Sequence, residues 1–169
     1  AHFPFVSANL VTIADGQPIV KPYVVLDRGG ALFGILGLTE SMAKETLGEA
    51  SGATVLDPVQ AARHYVTELR PDVDILIVLS HLGLEEDKAL AASVPGIDVI
   101  VGGASHRLIK DPERVGNTLI VQQGYRGEWL GRLDVTYDAR IHPVGFTEKI
   151  IALTDTYADD PRVSRLVSE

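Results

Sequence analysis

The sequence predicts an α/β fold built around one β-α-β unit, and three observations support this. Residues 74–80 (DILIVLS) and 97–101 (IDVIV) are short apolar runs without the polar alternation of a half-exposed strand. Residues 84–94 between them have apolar side chains at helical spacing and acidic residues in the first turn, where the helix dipole favours anions. A crossover of this length joins parallel strands, so both strands are expected to be buried neighbours.

The segment before this unit is predicted to begin with strands and turns. Residues 3–10 (FPFVSANL) have the composition of a strand, and His2 before them is given no role because terminal residues are usually solvated. Asp15-Gly16 is a turn signal between apolar runs at 9–13 and 19–26, which predicts a β-hairpin or meander.

A second turn and a strand are predicted next. Arg28-Gly29-Gly30 precedes the apolar run 31–38 (ALFGILGL), a predicted buried strand. Residues 39–50 are more polar and fit either a short helix or a surface excursion.

A helix start is predicted at Asp57, because an N-cap aspartate, a first-turn proline and a glutamine at capping-box spacing follow one another there. Its apolar stripe contains Val59, Ala62, Tyr65, Val66 and Leu69. His64 lies off that stripe, so we expect it to be solvated.

Three strands and a helix are predicted after the β-α-β unit. The strands cover residues 118–122, 129–137 and 144–153, with the glycine-containing turn QGYRGE between the first two. A helix is predicted over 157–169, because Asp159 or Asp160 precedes Pro161 as a cap and apolar residues follow at helical spacing.

Composition excludes several classes of function. A net charge of −8 disfavours binding to nucleic acid, and no apolar run reaches the roughly 20 residues that a membrane-spanning helix needs. The absence of cysteine excludes thiolate metal sites and cysteine nucleophiles. No G-x-S-x-G, P-loop or G-x-G-x-x-G pattern is present. The first residue is alanine and no signal-type segment follows, which we interpret as an upstream segment that this chain lacks.

His81 and His106 are the candidate functional residues. Each follows one strand of the parallel pair, and parallel strands end at the same edge of a sheet, where α/β proteins commonly bind ligands. Imidazoles held at such an edge can bind a divalent metal, although loop histidines also commonly bond to nearby carbonyls, and spacing leaves both interpretations open. Asp98, Glu86 and Asp87 are interpreted as solvated strand or helix ends. Arg126 and Glu128 are interpreted as surface charges.

The order of five segments resembles the calcineurin-like metallophosphoesterase domain of the 5'-nucleotidase family. The segments are FPFVSANL, DPVQAARHYVTELR, DILIVLSHLG, GIDVIVGGASH and IVQQGYRGEWLGRLDVTYD. The resemblance covers nearly the whole chain but only the C-terminal half of that domain. It implies a four-layer α/β/β/α sandwich of mixed sheets, with residues 1–154 forming its second half and residues 155–169 a linker helix toward a missing C-terminal domain.

The same resemblance implies a divalent metal site of reduced strength. His81 in SHLG matches a metal ligand of the family, and His106 matches the second histidine of a GG-H-x-H signature. Ala104 occupies the position of the first histidine of that signature, and a methyl group cannot coordinate a metal. The family's other ligands and its catalytic histidine belong to the upstream half, so no catalytic residue is assigned to this chain. Manganese, zinc, iron and cobalt all suit the two imidazoles.

The resemblance therefore predicts a degenerate or incomplete metallophosphoesterase module, inactive as an isolated chain and serving as a structural or binding part of a larger protein. The alternative is a metal-dependent hydrolase of phosphate monoesters, such as nucleotides, once the upstream half is supplied. Half a sandwich leaves apolar sheet surface exposed, so the expected partner is the missing N-terminal half or another chain that covers it. Family resemblance implies a periplasmic or extracellular location.

Overall fold

The computed structural model describes residues 3–41, 43–138 and 143–168, so His2 lies outside the described residues. The strands are β1 (Leu10–Thr12), β2 (Tyr23–Arg28), β3 (Ala31–Thr39), β4 (Ala53–Val55), β5 (Ile75–His81), β6 (Val99–Val101), β7 (Glu113–Val115), β8 (Thr118–Val121), β9 (Trp129–Tyr137) and β10 (Pro143–Ala152). The helices are α1 (Ala43–Leu47), α2 (Pro58–Leu69), α3 (Leu84–Ser93) and α4 (Pro161–Ser168).

Six strands form one mixed sheet in the order β2-β3-β5-β6-β8-β7. The four central strands are parallel, and the two edge strands β2 and β7 are antiparallel to their neighbours. The predicted β-α-β unit is confirmed as β5-α3-β6, whose strands pair in parallel with Leu79 opposite Val101. The carboxyl ends of four neighbouring strands consequently lie along one edge of the sheet.

Helices α2 and α3 cover one face of this sheet and bury its main core. Asp57 caps α2 as predicted, because its carboxylate accepts a hydrogen bond from the Gln60 amide at 2.8 Å and Pro58 occupies the first turn. The largest fully buried core residues include Leu36, Leu76, Leu90, Ile97 and Ile100. His64 is exposed on α2, as expected, with Nε2 3.9 Å from the Glu68 carboxylate.

The antiparallel hairpin β9–β10 lies against the opposite face of the sheet. Leu133 and Val135 of the hairpin pack on a small cluster of Val99, Leu119 and Val121. Beside this contact is an apolar cavity of about 420 Å³ between hairpin and sheet, which neither His81 nor His106 lines. The predicted α/β class with mixed sheets is confirmed, and the hairpin lies where the second sheet of a sandwich is expected.

The predicted N-terminal hairpin forms only as an isolated antiparallel bridge, Val11 with Pro18, and not as a ladder of two strands. A tight turn at Asp15-Gly16 exists, closed by the Thr12 amide donating to the Gln17 carbonyl at 2.9 Å, but β1 pairs with β4, and β2 pairs with β3 across the Gly29-Gly30 turn. Pro18 and Pro22 explain the difference, because neither has the N–H that a continuing ladder would need.

The remaining predictions are tested in part. Residues 3–9 form a single bridge, Val6 with Lys21, rather than a strand. Residues 39–50 contain the short helix α1. Helix α4 has no buried residue, and its assignment as a linker outside residues 1–154 stays a prediction. None of the described helices is long and apolar enough to cross a membrane.

Candidate metal-binding edge of the sheet

Both predicted histidines follow strands that end at the carboxyl edge of the sheet. His81 is the last residue of β5 and lies opposite Thr39 at the end of β3. His106 follows β6 at the end of the loop 102–106, and β8, which pairs with β6 in the sheet, leads into the turn that contains Tyr125. The geometric prediction is therefore confirmed in its placement of both residues, although each imidazole has different neighbours.

The His81 ring lies between Glu40 and the loop that bears His106. The side chain is 62% exposed, and Nε2 lies 4.0 Å from a carboxylate oxygen of Glu40. The other ring nitrogen faces the loop, since a Cβ on Gly103 would lie 3.0 Å from Nδ1. A glycine at position 103 thus lets the loop approach the ring closely.

His106 is held by stacking. Its ring lies 4.9 Å from that of Tyr125 with an interplanar angle of 16°, and the Arg126 guanidinium lies 5.1 Å from the centroid of the Tyr125 ring. In the described part of the chain, the non-glycine residues with positive φ are Ala104, His106 and Arg126, at 61°, 57° and 60°. Strained backbone of this kind concentrates at functional sites, and here it concentrates at one edge.

Ser105 ties the histidine-bearing loop to its neighbours. Its hydroxyl donates to the Gln122 side-chain carbonyl at 2.8 Å and accepts from the Leu84 amide at 3.3 Å. The loop is thereby fixed both to the end of β8 and to the start of α3.

The interpretation of Asp87 as a solvated helix residue is wrong. The side chain is completely buried and accepts a hydrogen bond from the Ser80 hydroxyl through Oδ1, while Oδ2 has no protein partner among the described residues. Burial is the main cause that raises the pKa of this carboxyl to about 6, with Glu86 adding to the rise and the Ser80 bond opposing it. Glu86, by contrast, is exposed as expected.

A signal for this burial was present in the sequence. Asp87 lies three residues after Leu84 and three before Leu90, so it occupies the apolar stripe of α3. The three adjacent acidic residues instead gave the appearance of an exposed first turn, in which the dipole alone would account for the charge.

Asp98 is also less solvated than predicted. Its side chain is 16% exposed, and its Oδ2 accepts from Arg70 at 2.6 Å and from the Leu76 amide at 2.7 Å. It lies next to β6 at the opposite edge from the histidines, as expected. Arg126 and Glu128 are exposed, in agreement with their interpretation as surface charges.

The described residues do not form a complete metal centre. No group of three or more His, Cys, Asp or Glu side chains comes close enough to hold an ion in residues 3–41, 43–138 and 143–168. A catalytic zinc site usually needs three protein ligands, and Ala104 cannot supply one. His81 and His106 are therefore at most part of a ligand set.

Comparisons with known proteins identify the family. A 5'-nucleotidase from Diplobatis ommata is 32% identical over 159 residues, which cover 80% of this chain and 28% of that protein. The crystal structure of a 5'-nucleotidase precursor from Thermus thermophilus is 32% identical, with a TM-score of 0.87 over 99% of this chain and 38% of that one. This chain belongs to the 5'-nucleotidase family of metallophosphoesterases.

Other findings agree with this membership in the 5'-nucleotidase family. The uncharacterized metallophosphoesterase YunD of Bacillus subtilis is 30% identical over 141 residues, 82% of this chain and 30% of that protein. No protein-family model matches the chain. The chain spans about 30% of the length of the 5'-nucleotidase and metallophosphoesterase relatives described above. Members of this family generally use divalent metals.

Proposed function

We propose that this chain is an incomplete or degenerate metallophosphoesterase module that is non-catalytic alone and serves as a structural or binding part of a larger protein. The observation that carries the proposal is the carboxyl edge of the sheet. It has His81 and His106, a methyl group at Ala104, and no group of three ligands within the described residues. No catalytic residue is assigned within this chain.

The residues that would hold a metal are His81, through Nε2, and His106, with further ligands from outside the chain. Manganese, zinc, iron and cobalt all accept imidazole ligands, so the edge does not select among them. A bound divalent metal polarises phosphoryl oxygens and activates water. The contacts of the His81 ring with Gly103 and of the His106 ring with Tyr125 limit the rotation of both imidazoles. The chain would therefore supply two imidazoles in restricted orientations to such a centre.

The expected partner covers the face of the sheet opposite α2 and α3. Leu79 is 43% exposed on this face, and Ile77, Val101 and Phe33 are only partly buried beside the cavity under the hairpin. The proposed occupant is the N-terminal half of the family's domain, or another chain that supplies it. The greater length of the relatives supports this choice.

The alternative function is hydrolysis of phosphate monoesters such as nucleotides after the upstream half is restored. The 62% exposed side chain of His81 supports it, because a candidate ligand at this edge is open to residues that an upstream segment would supply. The relatives named 5'-nucleotidase support a nucleotide or phosphate-ester substrate. The net charge of −8 disfavours nucleic acid as a partner. A periplasmic or extracellular location is part of this proposal.

The first test is the metal content of this chain and of the proposed larger protein that contains it together with the upstream half, called the full-length protein below. Both are equilibrated with manganese and zinc, freed of loose ions and analysed by mass spectrometry. We expect no tightly held metal on the chain alone. Two metals held tightly by the chain alone would contradict the proposal, and two metals on the full-length protein would favour the hydrolase alternative.

A substitution then separates the two functions. Ala104→His in the full-length protein restores the family's ligand at a left-handed position that histidine tolerates better than most residues. A hydrolase with one missing ligand gains zinc affinity and turnover, whereas a drifted module gains neither. Ala89→His, on the exposed face of α3, is the control for adding an imidazole elsewhere.

A further inference from the structure

We propose that Asp87 is a positioning residue that holds the strand end bearing His81 and the loop bearing His106 in a fixed relation. The inference rests on the proposed role of the two histidines as metal ligands. It concerns a side chain that touches neither of them through any hydrogen bond described above, and it acts through Ser80 and Gly102.

The first contact fixes the backbone on both sides of His81. The Ser80 hydroxyl donates to Oδ1 of Asp87, and the same hydroxyl oxygen accepts from the Leu82 amide at 3.2 Å. Ser80 and Leu82 are the two chain neighbours of His81. The carboxylate therefore holds a hydroxyl that bridges the residues flanking the imidazole, and this limits rotation of the strand end.

The second contact fixes the start of the histidine loop. A Cβ on Gly102 would lie 2.6 Å from Oδ2 of Asp87, so the carboxylate packs directly against the backbone at this position. The Gly102 amide donates to the Val121 carbonyl at 2.8 Å, which joins the same point to β8. Gly103, the next residue, lies against Nδ1 of His81. One carboxylate thus lies between the two segments that carry the histidines.

Helix α3 gives the carboxylate a rigid support. The Asp87 amide donates to the Gly83 carbonyl at 2.9 Å in the first turn of α3. The Leu84 amide in the same turn donates to Ser105 of the loop. The first turn of the helix therefore contacts the loop at two points, Gly102 and Ser105, and contacts the end of β5 at Ser80.

A purely structural role explains Asp87 poorly. An apolar residue in the stripe of α3 would pack against the sheet with no polar atom to satisfy, whereas Oδ2 of Asp87 is buried without a protein partner in the described part of the chain. Burial also raises the pKa of the group to about 6, which shows that the charged form is disfavoured there. Buried groups of this kind, placed beside exposed candidate ligands, are typical of functional sites.

The experiment measures the two imidazoles directly in the full-length protein. Histidine is labelled with ¹³C, the ring signals are assigned with His81→Gln and His106→Gln, and they are then compared in Asp87→Ala, Ser80→Ala and Asp87→Asn. We expect both ring signals to shift or broaden in the two alanine variants. Asp87→Asn keeps an acceptor at Oδ1 and is expected to retain the wild-type signals.

Zinc affinity is measured in the same samples by competition with a chelator. We expect a loss of roughly 10- to 100-fold in the alanine variants, the range typical for residues that orient metal ligands. Asp98→Ala is the matched control, because it removes a paired carboxylate at the opposite edge and should leave both ring signals unchanged.

Unchanged ring signals in Ser80→Ala and Asp87→Ala would overturn the proposal and leave Asp87 as a structural contact. Ser80→Ala, a smaller change, decides the matter if Asp87→Ala does not fold. Wild-type protein that binds no zinc would contradict the proposed ligand role of the histidines. The ring signals would still report whether Asp87 positions them, so the two failures are distinguishable.

Discussion

The two ends of the central sheet differ in how completely a buried carboxylate is hydrogen-bonded. At the amino end, Asp98 pairs with Arg70, whose guanidinium also donates to the carbonyls of Gly96, Val73 and Asp74. At the carboxyl end, Asp87 is more deeply buried but receives a side-chain hydrogen bond from Ser80 and has an oxygen without a protein partner in the described residues. The carboxylate at the amino end is therefore the better paired of the two.

This difference separates a fully paired network from the candidate site within one sheet. The amino end contains the satisfied network. The carboxyl end contains the exposed histidines, the left-handed backbone at Ala104 and a second polar atom without a partner among the described residues, Nε2 of Gln122. Ligand sites of α/β proteins lie at the carboxyl edge, and strain and incomplete pairing are expected to concentrate there.

The largest effect is expected at the amino end. Asp98→Ala removes the partner of Arg70 and the acceptor of the Leu76 amide. We expect the free energy of unfolding to fall by about 2–3 kcal/mol, which is less than the loss for a fully buried ion pair because both side chains are partly exposed. Urea denaturation measures it. Asp134→Ala, which breaks the exposed pair with Arg132, should cost less than about 1 kcal/mol. Equal losses of stability in the two variants would contradict the greater contribution expected from the Asp98–Arg70 pair.

The next prediction concerns pH at the carboxyl end. Burial raises the pKa of folded Asp87 from 3.8 to about 6, so its contribution to stability is complete below the lower value and is lost as pH rises through the higher one. Asp87→Asn does not titrate. Its stability relative to the wild type should therefore increase by about 2 kcal/mol between about pH 4.5 and pH 8. Denaturation at both pH values tests this, and a constant difference would contradict it.

The smallest effect is expected at Ala104. Its φ of 61° is unfavourable for a residue with a Cβ, so Ala104→Gly should stabilise the protein by about 1 kcal/mol. Ala89→Gly, in the exposed face of α3, should destabilise it by about the same amount. Thermal denaturation compares the two variants, and effects of the same sign would show that strain at position 104 does not contribute.

The sequence was informative where local signals and tertiary context agree. The β5-α3-β6 unit follows from two apolar runs and one helical stripe, and α2 follows from its cap at Asp57, because these patterns depend on residues close along the chain. The shared edge of His81 and His106 follows from parallel pairing alone. These features required no knowledge of distant contacts.

The sequence was misleading where distant partners decide the outcome. The pairing of β1 with β4 depends on residues more than forty positions apart, as the match of Leu10 with Val55 shows, and the nearby turn favoured a hairpin instead. The burial of Asp98 depends on Arg70, which lies 28 positions earlier in the chain, whereas the burial of Asp87 follows from its place on the apolar stripe of α3. The role of the histidines as ligands stays a prediction.

The hairpin β9–β10 has a consequence for local unfolding. Its ladder pairs Trp129 with Ala152 at one end and Tyr137 with Pro143 at the other, and it forms a sheet separate from the six-stranded one. Two kinds of contact attach it to that sheet. The side-chain amide of Gln123 donates to the Glu148 carboxylate at 3.0 Å, and Leu133 and Val135 pack on the sheet. We therefore expect the amide protons of the hairpin to exchange through a local opening that leaves β5 and β6 intact.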